Sequence, residues 1–321
     1  MDMKVILLAI AVSFLLAVIL GPLFIPLLRR LKFGQEVRTD GPQSHLKKQG
    51  TPTMGGIIIM IALCLSFLKF SDKTTDFWVL LTASLGFGLV GFLDDYIKIA
   101  FKRSLGLTAR QKLGGQLLFS IILCVLLYSM DHSTVVTLPG SSWSGIDLGW
   151  FYYLFVILML LATSNAVNFT DGVDGLLSGT SALAFGAYIL IALQLSEYES
   201  AVFAAAMVGA VLGFLVFNAH PAKVFMGDMG SLGIGGGFAA VAILTKTELL
   251  LIVIGGVFVI EILSVVLQVG SFKLRRKRIF KMSPIHHHFE LSGWSEWRVV
   301  TTFWFVGLLL AGLGLLLQRG L

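Results

Sequence analysis

Asp94 and Asp95 stand side by side, Asp171 and Asp174 lie three residues apart, and Asp228 sits between glycines. Asn165, Asn168 and Asp171 recur every three residues, which places them near one face of a helix. Asp174 would extend that row, but Gly172 and Gly175 are expected to break the helix. Three consecutive histidines, His286, His287 and His288, follow Pro284. All of these groups adjoin long apolar runs, where ionisable side chains are costly and face a partner, a cation or water. Neighbouring carboxylates repel unless a cation offsets them. Their hard oxygens suit Mg²⁺, which shares substrate phosphates and offsets charge gathering on a leaving phosphate. Consecutive histidines are poor zinc spacing, since one helix face needs i and i+4. They suit phosphate binding or proton transfer, because imidazole titrates near neutrality. These residue types point to a metal-and-phosphate site and to phosphoryl transfer.

Plainer readings stand beside that one. Lys98 follows Asp94 by four residues and is placed to pair with it. Lys102, Arg103, Arg110 and Lys112 serve either phosphate or the topology of the chain. Thr53 is a natural N-cap for the apolar run that follows it, and the N–H groups of Gly55 and Gly56 are open to an anion. Glu261, well inside an apolar run, reads as an inter-helix hydrogen bond. The glycines after Ser231 follow no strand, so a nucleotide fingerprint fails and helix packing is expected.

The elements that must position these residues are membrane helices. The chain has 321 residues, 56% of them hydrophobic and 13% charged, with a mean hydropathy of +0.89. Apolar runs of about 20 residues recur, the length that crosses a hydrocarbon core of about 30 Å. We expect an all-α integral membrane protein, one polytopic domain over 1–321, with ten spans. They fall at 3–28, 53–70, 77–97, 113–129, 149–167, 176–195, 200–217, 231–246, 249–269 and 298–318. Pro22 and Pro26 should kink the first. A short hairpin is expected around Pro139-Gly140. Cys64 and Cys124 lie inside apolar runs, so no disulfide framework is expected. The loops 29–52, 98–112, 218–230 and 270–298 hold 19 of the 24 Lys and Arg. The positive-inside rule makes that side cytoplasmic, which places both termini outside and the polar groups at the cytoplasmic face. The net charge of +6 then reflects topology and anionic lipid, and implies no nucleic-acid partner. Residues 272–281 alternate bases with apolar residues, as an amphipathic segment on an anionic leaflet does.

Five segments carry a resemblance: Gly50-Thr-Pro-Thr-Met-Gly-Gly56, Phe92-Leu-Asp-Asp-Tyr-Ile-Lys98, Asn165-Ala-Val-Asn-Phe-Thr-Asp-Gly-Val-Asp-Gly175, Asn218 with Phe225-Met-Gly-Asp-Met-Gly-Ser231, and Pro284-Ile-His-His-His-Phe-Glu290. The chain resembles the bacterial phospho-N-acetylmuramoyl-pentapeptide transferases, within the wider polyprenyl-phosphate N-acetylhexosamine-1-phosphate transferases. The resemblance implies transfer of phospho-N-acetylmuramoyl-pentapeptide from its UDP conjugate to undecaprenyl phosphate, giving lipid I and UMP, with Mg²⁺ as cofactor. It implies a multi-pass protein of the bacterial cytoplasmic membrane and a homodimer. It makes Asp228 the Mg²⁺ ligand and gives deprotonation of the lipid phosphate to Asp94 or Asp95. Asp171, His286 and His287 become catalytic residues. Phe225 becomes a stack for the uracil, with Lys48, Thr53, Asn165, Asn168, Asp174, Asn218, Gly227, Ser231, Gln268 and His288 as further substrate contacts. Direct attack and a covalent enzyme intermediate both stay open.

Other classes fit less well. An intramembrane aspartyl protease would bury its Asp pair within the bilayer, without bases around it. A transporter would gather its polar groups near the midplane on broken helices. A CDP-alcohol phosphotransferase needs an Ala-Arg soon after its first Asp-Gly, which is missing after Asp171-Gly172. A UDP-N-acetylglucosamine transferase is the alternative, separated chiefly by the triple histidine.

Overall fold

A chain in hydrocarbon must satisfy its backbone internally, so long apolar runs close into helices. The computed structural model describes residues 3–31, 50–101, 105–138 and 145–319. They form α1 (Met3–Arg30), α2 (Gly56–Phe70), α3 (Thr75–Ala100), α4 (Ala109–Ser129), β1 (Val135–Val136), β2 (Ile146–Asp147), α5 (Phe151–Thr170), α6 (Leu176–Gln194) and α7 (Tyr198–Asn218). There follow α8 (Gly227–Leu244), α9 (Leu251–Ile254), α10 (Gly256–Arg275), α11 (Ile285–Glu290) and α12 (Glu296–Arg319). The protein is an all-α integral membrane protein in which, among the described residues, β1 and β2 pair antiparallel, Val135 with Asp147 and Val136 with Ile146; the turn expected around Pro139-Gly140 lies outside the described residues.

Ten spans were expected; among the described residues nine helices are long and apolar enough to cross a membrane. The remaining candidate, α2, has 15 residues and covers only about 22 Å at 1.5 Å per residue. Its start is set by tertiary contact. The N–H groups of Gly55 and Gly56 donate to the carbonyls of Phe225 and Met226, at 2.9 and 2.8 Å, and Phe225 N–H donates back to Pro52 at 2.8 Å. Residues 52–56 are therefore tied by their backbone to 225–226, and the chain turns into α2 at Met54, whose φ is +69°. Two expectations fall with this: Gly55, not Thr53, is the cap residue, without a side-chain cap bond, and the two glycine N–H groups are occupied by protein. The expected span 249–269 is divided at Gly255 into α9 and α10. A Cβ at Gly255 would meet the Phe238 ring at 2.8 Å, so the break lies where that ring presses on the backbone. α1 runs unbroken through Pro22 and Pro26; it lies along α7 so closely that a Cβ at Gly21 would sit 2.2 Å from the Phe217 ring.

α8 is the centre of the bundle: every residue from Gly230 to Leu244 is buried. In lipid, helices associate by close van der Waals contact, and small residues permit it. A Cβ at Gly56 of α2 would lie 2.2 Å from Gly230 N, and one at Gly91 of α3 only 2.1 Å from the Asp228 carbonyl oxygen. Gly56 and Gly91 thus bring the ends of α2, α3 and α8 together, and the glycines after Ser231 serve packing as expected: a Cβ at Gly235 would lie 2.6 Å from Ser164 Cα and one at Gly236 2.5 Å from the Ala83 carbonyl oxygen. Leu7, Leu15, Ile19 and Leu23 on α1 and Leu309, Leu313 and Leu316 on α12 are exposed, a surface suited to lipid.

Candidate active site

The three carboxylates of the central cluster come from two helix ends. Asp94 and Asp95 are buried in the last turns of α3, and Asp228 is the second residue of α8. One oxygen from each lies within 4.8 Å of the others. Gly227 makes this possible. Its φ of +76° is a left-handed conformation that favours glycine, and a Cβ there would lie 2.6 Å from Asp95 Oδ2.

Two lysines offset the charge. Lys98 Nζ contacts Asp94 Oδ2 at 2.6 Å, Asp228 Oδ2 at 3.0 Å and Asp95 Oδ1 at 3.4 Å. Lys112 Nζ, from the first turn of α4, reaches Asp228 Oδ2 at 2.9 Å. Backbone donors complete the cradle: Leu107 N–H donates to Asp94 Oδ1 at 2.7 Å and Met229 N–H to Asp95 Oδ2 at 3.2 Å. Asn168 Nδ2 donates to Asp228 Oδ1 at 2.9 Å and to Ser231 Oγ at 2.7 Å, while Ser231 Oγ–H donates to Gly227 O. An all-oxygen set of three carboxylates fits Mg²⁺ by donor chemistry.

Asp171 follows α5 directly and caps it. Its carboxylate lies near the Gly227 backbone N–H, and burial together with the nearby Asp228 carboxylate pushes its pKa up to about 7. The helix ends here, as Gly172 and Gly175 led us to expect; Gly175, with φ +79°, opens α6. Asp174 turns away from the cluster: its Oδ2 accepts from Ala222 N–H at 3.1 Å and meets His220 Nδ1 at 3.0 Å, with Glu296 3.2 Å from the same nitrogen.

The other expected residues sort by what their polar atoms touch. Thr53 Oγ1 lies beside Gly227, 3.1 Å from where a Cβ would be. Phe225 is partly exposed, with its backbone committed to the 52–55 segment. Asn165 donates to Gln116 Oε1 at 3.0 Å. Asn218 Oδ1 accepts from Gly175 N–H and Ser178 Oγ, both at 3.1 Å, and its Nδ2 donates to Val224 O, so it clamps the start of α6. Gln268 uses its whole amide on the backbone of Ile279 and Phe280. His286 is fully buried, with Nδ1 3.1 Å from Glu261 Oε2. His287 Nδ1 meets Glu290 at 2.7 Å, and His288 Nδ1 accepts the Lys281 N–H at 3.1 Å. Lys48 lies outside the described residues. The structure thus gathers Asp94, Asp95, Asp228, Asn168, Ser231, Gly227 and Asp171, and sets Asp174 and the histidines along a neighbouring wall.

Sequence reasoning left Lys98, Lys112, His220, Gln116 and Glu296 out of the site. Lys98 carried a signal in its spacing from Asp94; Lys112 was readable as a base for phosphate or topology, but nothing in the sequence joins it to Asp228, 116 residues on.

Residues 77–246 match the family model described as glycosyl transferase family 4, and residues 48–60 match the phospho-N-acetylmuramoyl-pentapeptide-transferase signature 1. The phospho-N-acetylmuramoyl-pentapeptide-transferase of Bacillus pumilus (strain SAFR-032) is 58% identical over 319 residues, 98% of each chain. Those of Halalkalibacterium halodurans and Bacillus subtilis (strain 168) are 59% and 57% identical, again over 98% of each chain.

Proposed function

Since the chain belongs to the phospho-N-acetylmuramoyl-pentapeptide-transferase family, we propose that it transfers phospho-N-acetylmuramoyl-pentapeptide from UDP to undecaprenyl phosphate, as a multi-pass protein of the bacterial plasma membrane. The products are lipid I and UMP, in peptidoglycan synthesis. The observation that carries this reading is the meeting of Asp94, Asp95 and Asp228 with two lysines at helix ends. The signature over 48–60 favours the muramoyl branch over a UDP-N-acetylglucosamine transferase.

Finer features belong to the same proposal. The excess of Lys and Arg on one side supports a cytoplasmic site with both termini outside, α2 then serving as a tenth, short span. A homodimer, implied by the resemblance, is the expected assembly. Asp228, with Asp94 and Asp95, would hold Mg²⁺. When bound, that ion supplies charge stabilisation of the diphosphate and of the leaving phosphate.

The chain's own residues do the rest. An oxygen of the lipid phosphate forms a bond to the sugar-bearing phosphorus. The bond from that phosphorus to the UMP oxygen breaks, and UMP departs with the electron pair. A proton on the lipid phosphate passes to Asp94 or Asp95, both of which lie beside Lys98. Lys112 and Lys98 attract and orient phosphate oxygens. Asp171 and Asn168 tie the nucleotide side to the reacting side through Gly227 and Asp228. Direct attack is preferred to a covalent intermediate, because it needs only a base and a metal, whereas a covalent route needs a carboxylate nucleophile in line with the reacting phosphorus. The test supplies purified protein with Mg²⁺, undecaprenyl phosphate and the UDP-muramoyl-pentapeptide, and follows UMP and lipid product together. Matched release supports the proposal; a folded preparation that yields no UMP from any UDP-sugar overturns it.

A further inference from the structure

Glu261 takes no part in the cluster of Asp94, Asp95 and Asp228, yet none of its side chain is exposed. Nor is any of the His286 ring, whose Nδ1 lies 3.1 Å from Glu261 Oε2. The contact has an ion-pair distance without hydrogen-bond alignment, and among the described residues neither side chain meets another hydrogen-bond partner. A buried carboxylate is costly unless something offsets it, and here the imidazole does. The other ring nitrogen abuts the catalytic turn. A Cβ built at Gly172 would lie 2.2 Å from His286 Nε2, so the ring rests on the residue that follows Asp171.

The surroundings make this a fixed wedge. Val173 and Leu176, just beyond, pack with Val299, Val300 and Phe303 of α12, and Ile285 of α11 closes on them. Apolar packing locates α11, but it does not choose between the two faces of an imidazole. A flip of the ring about its bond to Cβ exchanges Nδ1 for a carbon, and only a polar neighbour distinguishes the two. A carboxylate that orients a histidine ring is a recurrent way of fixing its tautomer and direction.

We propose that Glu261 is a positioning residue for the transfer reaction, holding the His286 ring so that Nε2 bears on Gly172 and keeps Asp171 beside Gly227 and Asp228. The inference rests on the phosphoryl-transfer reading of the site. Glu261 acts through His286.

The experiment measures kcat and KM for UMP release by the wild type, Glu261→Ala, Glu261→Gln, His286→Ala and the double variant Glu261→Ala/His286→Ala. Thermal unfolding in detergent is followed alongside. Glu261→Ala is expected to lower kcat about tenfold or more while its unfolding profile stays cooperative. Glu261→Gln still offers an oxygen to Nδ1 and is expected to recover most of the loss. The double variant should be no slower than His286→Ala alone, since both act on one ring. Wild-type kcat in Glu261→Ala overturns the proposal, as do multiplicative losses in the double variant, or a loss that Gln does not relieve and that tracks the unfolded fraction. A silent wild type overturns the transferase reading itself, and with it this inference.

Discussion

Asn168 Nδ2 lies 2.9 Å from Asp228 Oδ1 and joins the end of α5 to the start of α8. An amide is suited to this place because it donates to the carboxylate without adding charge. Asn168→Asp would set a second carboxylate against the first, and like charges at that distance repel. UMP release should fall about 100-fold in Asn168→Asp and about tenfold in Asn168→Ala, which merely omits the donor. Equal rates in the two variants would mean that charge at this position is irrelevant.

Asp228→Ala removes the carboxylate that Lys98 and Lys112 share. Mg²⁺-dependent turnover should be abolished, a loss of about a thousandfold or more for a group acting on developing charge. Titrating Mg²⁺ against activity checks it; a normal Mg²⁺ response would take Asp228 out of the metal site.

Gly91→Ala probes the approach of α3 to α8. The new Cβ would lie 2.1 Å from the Asp228 carbonyl oxygen, and backbone cannot rotate away as a side chain can. Overpacking should destabilise the protein by about 1–3 kcal/mol and displace Asp228 from Asp94 and Asp95. Gly114→Ala, which meets nothing within 4 Å, is the matched control. Thermal unfolding and UMP release should drop in the first variant and hold in the second.

His132, beyond the end of α4, gives a pH signature away from the site. Burial and the Lys246 ammonium lower its pKa to about 4, against an ordinary value of 6.5. The unfolded chain then binds a proton in the window between those values that the folded chain refuses. The stability due to the neutral ring is complete above pH 6.5 and is lost as pH falls towards 4. The loss is on the order of 2 kcal/mol, allowing for partial exposure. His132→Gln should flatten this part of the profile of unfolding temperature against pH; an unchanged slope would contradict the assignment.

Much of the fold can be read from apolar run length, since hydrocarbon leaves the backbone few choices. The start of α2 could not be read so, because residues 52–55 are held by the backbone of 225–226, far away in sequence. The same limit applies to the site. Lys98 announces itself by its spacing from Asp94, whereas Lys112 meets Asp228 only through the packing of α4. Polar residues in apolar runs also look alike whether they serve ligand or backbone. Asn168 reaches the carboxylate cluster, but Gln268 spends its amide on Ile279 and Phe280, and Asn218 spends its own on Gly175, Ser178 and Val224. Glu261 reads from the sequence as an inter-helix hydrogen bond; the structure instead sets it at an ion-pair distance from His286, which bears on Gly172, with no hydrogen bond to either carboxylate oxygen among the described residues.

In the proposed reaction the cluster of Asp94, Asp95 and Asp228 serves transfer of a phosphomuramoyl-pentapeptide to a polyprenyl phosphate. Its most direct test offers the purified protein undecaprenyl phosphate and Mg²⁺ with either UDP-N-acetylmuramoyl-pentapeptide or UDP-N-acetylglucosamine, and measures UMP from each. UMP should appear with the muramoyl substrate, in step with lipid I, and should vanish in Asp228→Ala. Release from UDP-N-acetylglucosamine alone would contradict the account.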